Sequence, residues 1–529
     1  MSDAVTISGD SLTVTFDRFD IDEYTLFLRT KKLPESRIEY DWETDRYTMT
    51  APARFAPMLG IEAPVVAGQV LPLAGHLFDY QQWALTMALA AKRFAIWCDT
   101  GLGKGPMGLE WCRQVMLRTN GRVLYLTHPA IIPQMIREAE RFYGDNLPLE
   151  RIDSRDDLSA WCRGETPAVG ITNYQKFIPK RGEPEVLSDL RYCTGICADE
   201  SSVLKTGGGV IKWALIKSAR GIPYKLSLTA TPAPNDAMEY ASQASFLETL
   251  RHENEILWTY FTRDKYGEWT VKPHARPAYY RFLASWSLYM RDPAAFGFGD
   301  ILATLPPPEI FEERIEMTGE QAELRMGILA EHGAGMFGDD KLGVVPRAKL
   351  AQLARGFLYE DGGKTIRRVA SHKPRRVAAI ATAALKHGPV LIWTAFDAEA
   401  TILAEYLPGA AILTGSMSDA VREQTLARFR DGEITILISK PQLIGYGLNL
   451  QFVRGMVFSG FDDSFERMYQ AIRRAYRFGQ TETVRVWTPY VPELEGLIFT
   501  NVREKERRFM DEVAQQERHY RDALQEAAA

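Results

Sequence analysis

The sequence predicts an α/β fold: two parallel-sheet lobes, a helical region between them and a small, mostly β domain at the N-terminus. Three observations predict it. From Phe78 to Leu250 short apolar runs alternate with helical stretches, as buried parallel strands joined by crossover helices do. The same texture returns between Pro389 and Trp487. Residues 1–75 instead alternate apolar with polar positions between Asp, Pro and Gly, the pattern of half-exposed strands and hairpins.

The elements follow in order. Residues 1–75 form an accessory domain with expected strands at Leu12–Phe16, Arg37–Trp42 and Tyr47–Met49. Residues 76–250 form the first lobe, with strands expected at Phe94–Trp97, Val123–Leu126, Ala168–Ile171, Gly195–Ala198 and Lys225–Leu228. Residues 251–385 are the helical inter-lobe region, broken at Leu305-Pro306-Pro307-Pro308. Its aromatics Trp258, Tyr260, Tyr279, Tyr280, Trp286 and Tyr289 read as core before they read as base-stacking platforms. Residues 386–490 form the second lobe, with strands expected at Pro389–Trp393, Ala411–Leu413, Ile434–Ile438, Gly455–Phe458 and Val484–Trp487. Residues 491–529 read as a charged helical tail.

Composition limits the function classes. With 529 residues, 46% hydrophobic and 25% charged, the chain is globular and long enough for several cores, which excludes a mostly disordered protein. Lys and Arg number 63 against 68 Asp and Glu, a net charge of -5. That excludes a globally basic nucleic-acid coat and leaves room for a local basic stripe. Five cysteines cannot make a disulfide scaffold. Cys193 and Cys197 have no matching second pair and read as small core residues. No apolar run approaches the roughly 20 residues of a membrane span, and the Met-Ser-Asp-Ala-Val-Thr start lacks a signal-peptide pattern. A cytoplasmic protein without membrane contact is expected.

Four motifs carry chemistry. Asp99-Thr100-Gly101-Leu102-Gly103-Lys104 lies between the strand Phe94–Trp97 and a helical stretch, Met107–Met116. Glycines let backbone N–H groups wrap phosphates, the helix start favours the anion, and Lys104 supplies a point charge. The motif wants a Ser or Thr hydroxyl next, as a magnesium ligand; here stand Gly105 and Pro106. Asp199-Glu200-Ser201-Ser202 follows the strand Gly195–Ala198. There an Asp can hold magnesium and the adjacent Glu can polarise a water. Leu228-Thr229-Ala230-Thr231-Pro232 places hydroxyls at another strand end. Finally, Gln470 to Gln480 contains Arg474 and Arg477. Three apart, they are expected on one helix face, as two guanidinium groups for a γ-phosphate transition state.

Together and in this order, these motifs resemble the superfamily 2 helicase-like ATPases, with two RecA-like lobes. Tyr80-Gln81, Gly447-Leu448-Asn449-Leu450-Gln451 and Arg474-Ala475-Tyr476-Arg477-Phe478-Gly479-Gln480 are similar to motifs of the Swi/Snf type. Asp199 to Lys205 and Ser464-Phe465-Glu466 look most like the compact DEAD/DEAH-box helicase-like proteins of bacteriophages and prophages. The resemblance covers roughly residues 77–510. It implies that Gln81 reads adenine and that Thr100, Gly101, Leu102, Gly103, Lys104 and Gly105 hold the phosphates of ATP. It implies that Asp199 organises Mg2+, Glu200 activates water, and Arg474 and Arg477 act as arginine fingers. Thr229, Thr231, Gly447, Asn449 and Gln470 would couple nucleotide to DNA. Three departures stand out: Gly105, Arg473 in place of an acid, and Asp463-Ser464-Phe465 in place of Trp-Asn-Pro.

The resulting expectation is an ATP hydrolase that translocates on double-stranded DNA in a bacterial or phage-infected cell. Residues 1–75 are the expected docking piece for a protein partner. Two alternatives follow from Gly105 and from that domain. One is a nucleotide-gated DNA-binding module with weak ATPase. The other is a scaffold subunit of a phage or defence complex.

Overall fold

The computed structural model describes residues 5–8, 11–16, 36–42, 46–52, 73–129, 131–177, 186–205, 210–233, 239–250, 254–263, 269–299, 306–331, 343–363, 365–444, 450–460, 464–477, 480 and 482–528. By contact the chain divides into two compact units, Met1–Phe298 with Val513–Ala529, and Gly299–Glu512.

The first unit begins with a small antiparallel sheet. Strands β1 (Val5–Ser8), β2 (Ser11–Phe16), β3 (Arg37–Asp41) and β4 (Arg46–Pro52) lie in the order β1-β2-β4-β3. The period-two pattern has the expected consequence: Leu12, Val14, Phe16, Met49 and Ala51 are buried, while β3 is exposed throughout.

The main sheet of this unit is parallel. It contains β5 (Arg93–Cys98), β6 (Arg122–Thr127), β7 (Leu149–Arg151), β8 (Ala168–Asn173), β9 (Gly195–Asp199) and β10 (Tyr224–Leu228). A separate hairpin, β11 (Phe261–Arg263) with β12 (Trp269–Val271), precedes its last member, β13 (Ser287–Met290). The order is β13-β5-β10-β9-β6-β8-β7. The central strands are buried on both faces, which is why they read as continuous apolar runs without alternation. Leu228 pairs with Ile96 on one side and Asp199 on the other. The ends of β5, β10 and β9 therefore share one edge.

Strand β13 comes from the stretch expected to be helical. Ser287–Met290 is wholly buried, and a four-residue apolar run has no period that separates strand from helix. Tyr279, Tyr280, Trp286 and Tyr289 are core, whereas Trp258 is 71% exposed.

The second unit is built on β14 (Glu309–Arg314), a hairpin of β15 (Phe357–Glu360) and β16 (Thr365–Arg368), then β17 (Val390–Trp393), β18 (Ala411–Leu413), β19 (Ile436–Ser439), β20 (Gly455–Phe458) and β21 (Arg485–Tyr490). Its parallel sheet runs β14-β21-β20-β17-β19-β18. The helix Lys373–Ala384 packs Val377, Ile380 and Ala381 with Val390, Ile392, Ile436, Ile438 and Val457. Strand β14, Glu-Ile-Phe-Glu-Glu-Arg, was also outside the expected strands. It is a charged edge strand, and such charges protect an exposed edge at the expense of the apolar signal.

The architecture is thus two RecA-like α/β lobes and a small antiparallel N-terminal sheet. The chain ends in the helix Pro492–Ala528. No helix among the described residues is long and apolar enough to cross a membrane.

Candidate functional site

The loop after β5 turns on two glycines. Gly101 and Gly103 have φ of 93° and 73°, the left-handed region that glycine enters without steric cost. Gly103 also permits a close approach, since a Cβ there would lie 2.2 Å from Gln81 Nε2. It caps the helix Lys104–Thr119, whose first N–H groups point out of the helix without intrahelical partners. Lys104 Nζ folds back to donate to Cys98 O at 2.9 Å and Asp99 O at 3.3 Å. Asp99 Oδ1 accepts from Thr100 N at 2.7 Å. Leu102 is buried, and its carbonyl accepts from Tyr80 OH at 2.9 Å and Gln81 Nε2 at 3.0 Å. Gln81 Oε1 accepts from Phe78 N at 3.0 Å. Both Tyr80 and Gln81 therefore brace the loop.

Asp199 ends β9 and is 6% exposed. Its Oδ2 accepts from Tyr125 OH at 3.1 Å and Thr127 Oγ1 at 3.2 Å, and its Oδ1 from Glu200 N at 3.0 Å. Tyr174 OH donates to the Asp199 carbonyl at 2.6 Å. Burial raises the carboxyl above its ordinary range, and the Lys104 ammonium opposes that rise. Lys104 and Asp199 thus share one electrostatic site. Glu200 has φ of 55°, a conformation rare outside glycine that stores strain and concentrates at functional positions.

Thr229 and Thr231 follow β10 and are fully buried; Thr231 N donates to Thr229 Oγ1 at 3.2 Å. Two residues before Thr229, Ser227 Oγ lies 2.8 Å from Ser201 Oγ. Gln243 bonds Ser227 Oγ and donates to Ser201 O at 2.9 Å. The segment after Glu200 is thereby tied to the strand that carries the threonines. Tyr125, Thr127, Tyr174, Ser227 and Gln243 were missed by sequence reasoning. The available signal was a hydroxyl at or just past the ends of β6 and β8, Thr127 and Tyr174.

In the second unit the arginines lie differently from expectation. The helix Phe465–Arg473 ends before them, with Arg474 as its C-cap and Arg477 in the following turn. The Arg474 carbonyl accepts from Leu450 N at 3.1 Å, which takes it out of helical pairing. The shared helix face inferred from their spacing is therefore incorrect. Arg474 is buried, its guanidinium 5.9 Å from the Trp393 ring centre. Arg473 lies over Tyr469 and Tyr476, at 5.2 and 4.7 Å, so the residue that departs from the expected acid packs on aromatics. Gln470 is buried. Gly447 and Asn449 lie outside the described residues.

Comparison with known proteins adds three findings. Residues 373–479 match the family model of the helicase conserved C-terminal domain. A protein designated p41 of Acyrthosiphon pisum secondary endosymbiont phage 1 is 24% identical, over 70% of this chain and 82% of its own length. The Sulfolobus solfataricus SWI2/SNF2 ATPase core in complex with dsDNA aligns over 80% of this chain and 90% of its own at 19% identity, with a TM-score of 0.38. The helicase model spans β17 to β20 and the turn of Arg474 and Arg477, so over that stretch of the second unit this chain is similar to helicase C-terminal domains.

Proposed function

We propose that this chain is an ATP-driven motor that moves along double-stranded DNA. The observation that carries the proposal is the left-handed glycine turn and Lys104 after β5 and the buried Asp199 at the end of β9, on one sheet edge with β10 between them and with Lys104 acting on Asp199 electrostatically. A phosphate fits the turn, because outward N–H groups at a helix start favour an anion. Among the described residues Lys104 hydrogen-bonds carbonyls of its own loop region, so its charge is available to β/γ-phosphates. Asp199 is supplied with neutral donors, which leaves its negative charge for a cation. A magnesium ion, when bound, neutralises phosphate charge. Glu200 orients the attacking water. Arg474 and Arg477 serve as fingers on the γ-phosphate, Gln81 reads adenine, and Thr229, Thr231, Gly447, Asn449 and Gln470 couple the nucleotide to DNA. Residues 1–75 serve as the docking domain for a protein partner.

Phosphate release measured with duplex DNA, single-stranded DNA, RNA and no nucleic acid tests this reading. Duplex DNA should stimulate most, and binding should weaken steeply with salt because backbone phosphates carry the affinity. Turnover that no nucleic acid stimulates overturns the motor. Gly105 favours one second reading, a nucleotide-gated DNA-binding module. That reading predicts an ATP-dependent change in DNA affinity without turnover.

A further inference from the structure

Gly105 occupies the first turn of the helix Lys104–Thr119, where a phosphate loop normally offers the metal a hydroxyl. The space beside it is not empty. A Cβ at Gly105 would lie 3.2 Å from both Cε and Sδ of Met135 and 3.6 Å from Glu138 Oε2. Both neighbours sit on the helix Ile132–Tyr143, three residues apart and so on one face.

Glu138 is held by only one of its oxygens. Its Oε1 accepts from Gln134 Nε2 at 2.8 Å, one turn earlier. Its Oε2 is buried and has no hydrogen-bond partner among the described residues. A buried carboxylate oxygen without a donor is rare and needs an explanation. Its position suggests one. A hydroxyl at Gly105 would stand one bond beyond the Cβ and hold magnesium at about 2.0–2.1 Å. Glu138 Oε2, 3.6 Å from the Cβ position, borders the space such a hydroxyl and its metal would take.

We infer that Glu138 supplies, from the neighbouring helix, the divalent-metal ligand that Gly105 lacks. The inference rests on the nucleotide-site reading above. Carboxylate oxygen suits a hard cation, and magnesium is usually bound by one or two carboxylates with waters completing its shell. In this assignment Glu138 would be the second carboxylate beside the Asp199 proposed above. A side chain at 105 would require the end of Met135 to shift by a few tenths of an ångström.

The test uses the full chain with ADP and Mn2+ as the probe, free Mn2+ being read by electron paramagnetic resonance. Glu138→Gln should weaken Mn2+ binding to the ADP complex by about 10–100-fold, the scale seen when a metal site loses a supporting group. ADP affinity in EDTA should stay within about twofold, since this group meets the metal and not the phosphates. Gly105→Ser with Met135→Ala, made in the Glu138→Gln background, should restore Mn2+ affinity by returning a hydroxyl and making room for it. If Glu138→Gln melts early, Glu138→Asp, which keeps the charge and withdraws the oxygen, is read in the same way. Unchanged Mn2+ affinity in a folded Glu138 variant, with normal Mn2+ binding in the parent, overturns this inference alone. A parent that binds no ADP overturns the nucleotide site and this inference with it.

Discussion

Asp199 in the first unit and Glu495 in the second are both carboxylates sealed from water, 6% and 2% exposed. Glu495 is surrounded by counter-ions. Lys373 Nζ lies 2.5 Å from its Oε2 and Arg355 Nη2 3.4 Å from its Oε1, while Arg355 Nε lies 3.4 Å from Glu399 Oε1. Two cations face two anions. The backbone accommodates them: a Cβ at Gly460 would lie 2.2 Å from Arg355 Nε. Asp199 is buried just as deeply, but its hydrogen bonds come from two hydroxyls and a backbone N–H. The cluster around Glu495 is electrically complete, as a structural element should be. Asp199 has hydroxyl and N–H donors, with the Lys104 ammonium acting on it from the glycine turn, the arrangement that the proposed ligand site requires.

The largest break in this contrast should come from Lys104→Ala. Among the described residues the side chain hydrogen-bonds carbonyls of its own loop region, so the melting temperature should hold while ATP turnover disappears and nucleotide binding weakens. Normal phosphate release from a folded Lys104→Ala protein would remove the first unit's claim to the chemistry. Next in size is Arg477→Ala. Turnover should fall by roughly 10³-fold or more, the scale of an arginine finger, with DNA affinity little changed. A collapse of DNA binding with unaltered turnover per bound complex would make Arg477 a phosphate-backbone contact.

The third prediction exchanges one buried acid for its amide in each unit. Glu495→Gln strands Lys373 and Arg355 without their anion, and breaking a buried pair from one side costs about 3–5 kcal/mol. Chemical denaturation should show that loss, with nucleotide affinity intact. Asp199→Asn should do the opposite. Burial already disfavours its charge, so stability should hold or rise while turnover is lost. Equal destabilisation by both substitutions would erase the distinction between the two centres.

Legibility in the sequence follows the range of the signal. Apolar runs such as Gly195–Ala198 in the first sheet and Pro389–Trp393 in the second announced the strands at the centres of both sheets, because burial on two faces leaves a local signature. The glycine turn after β5 was legible because strand, turn and helix are contiguous. What could not be read depends on residues far apart in the chain. The hydroxyls around Asp199 come from Tyr125 and Thr127, and Met135 and Glu138 reach Gly105 from another helix. The end of the helix at Arg473 was hidden because a tertiary bond from Leu450 N, not a local breaker, captures the Arg474 carbonyl.

The smallest predicted effect lies in a third buried charge, intermediate between the two. Lys225 on β10 is fully buried. Its Nζ donates to Phe246 O at 2.8 Å and lies 3.4 Å from Glu248 Oε1. Glu248 also pairs with Arg93 at 2.5 Å, so one anion serves two cations. Burial draws the Lys225 ammonium down to about 7, with Glu248 opposing. An unfolded lysine keeps its proton to about 10.4. Between those values the unfolded chain binds more protons, so stability should rise with pH across that window. Below about 7 both states are protonated and this contribution becomes flat. Lys225→Met removes the titration. The parent should therefore gain on the variant as denaturation is followed from pH 7 to about 9. A gap that stays constant over that range would show that Lys225 keeps its proton in the folded lobe. The single carboxylate of Glu248 would then balance it as completely as Glu495 balances Lys373.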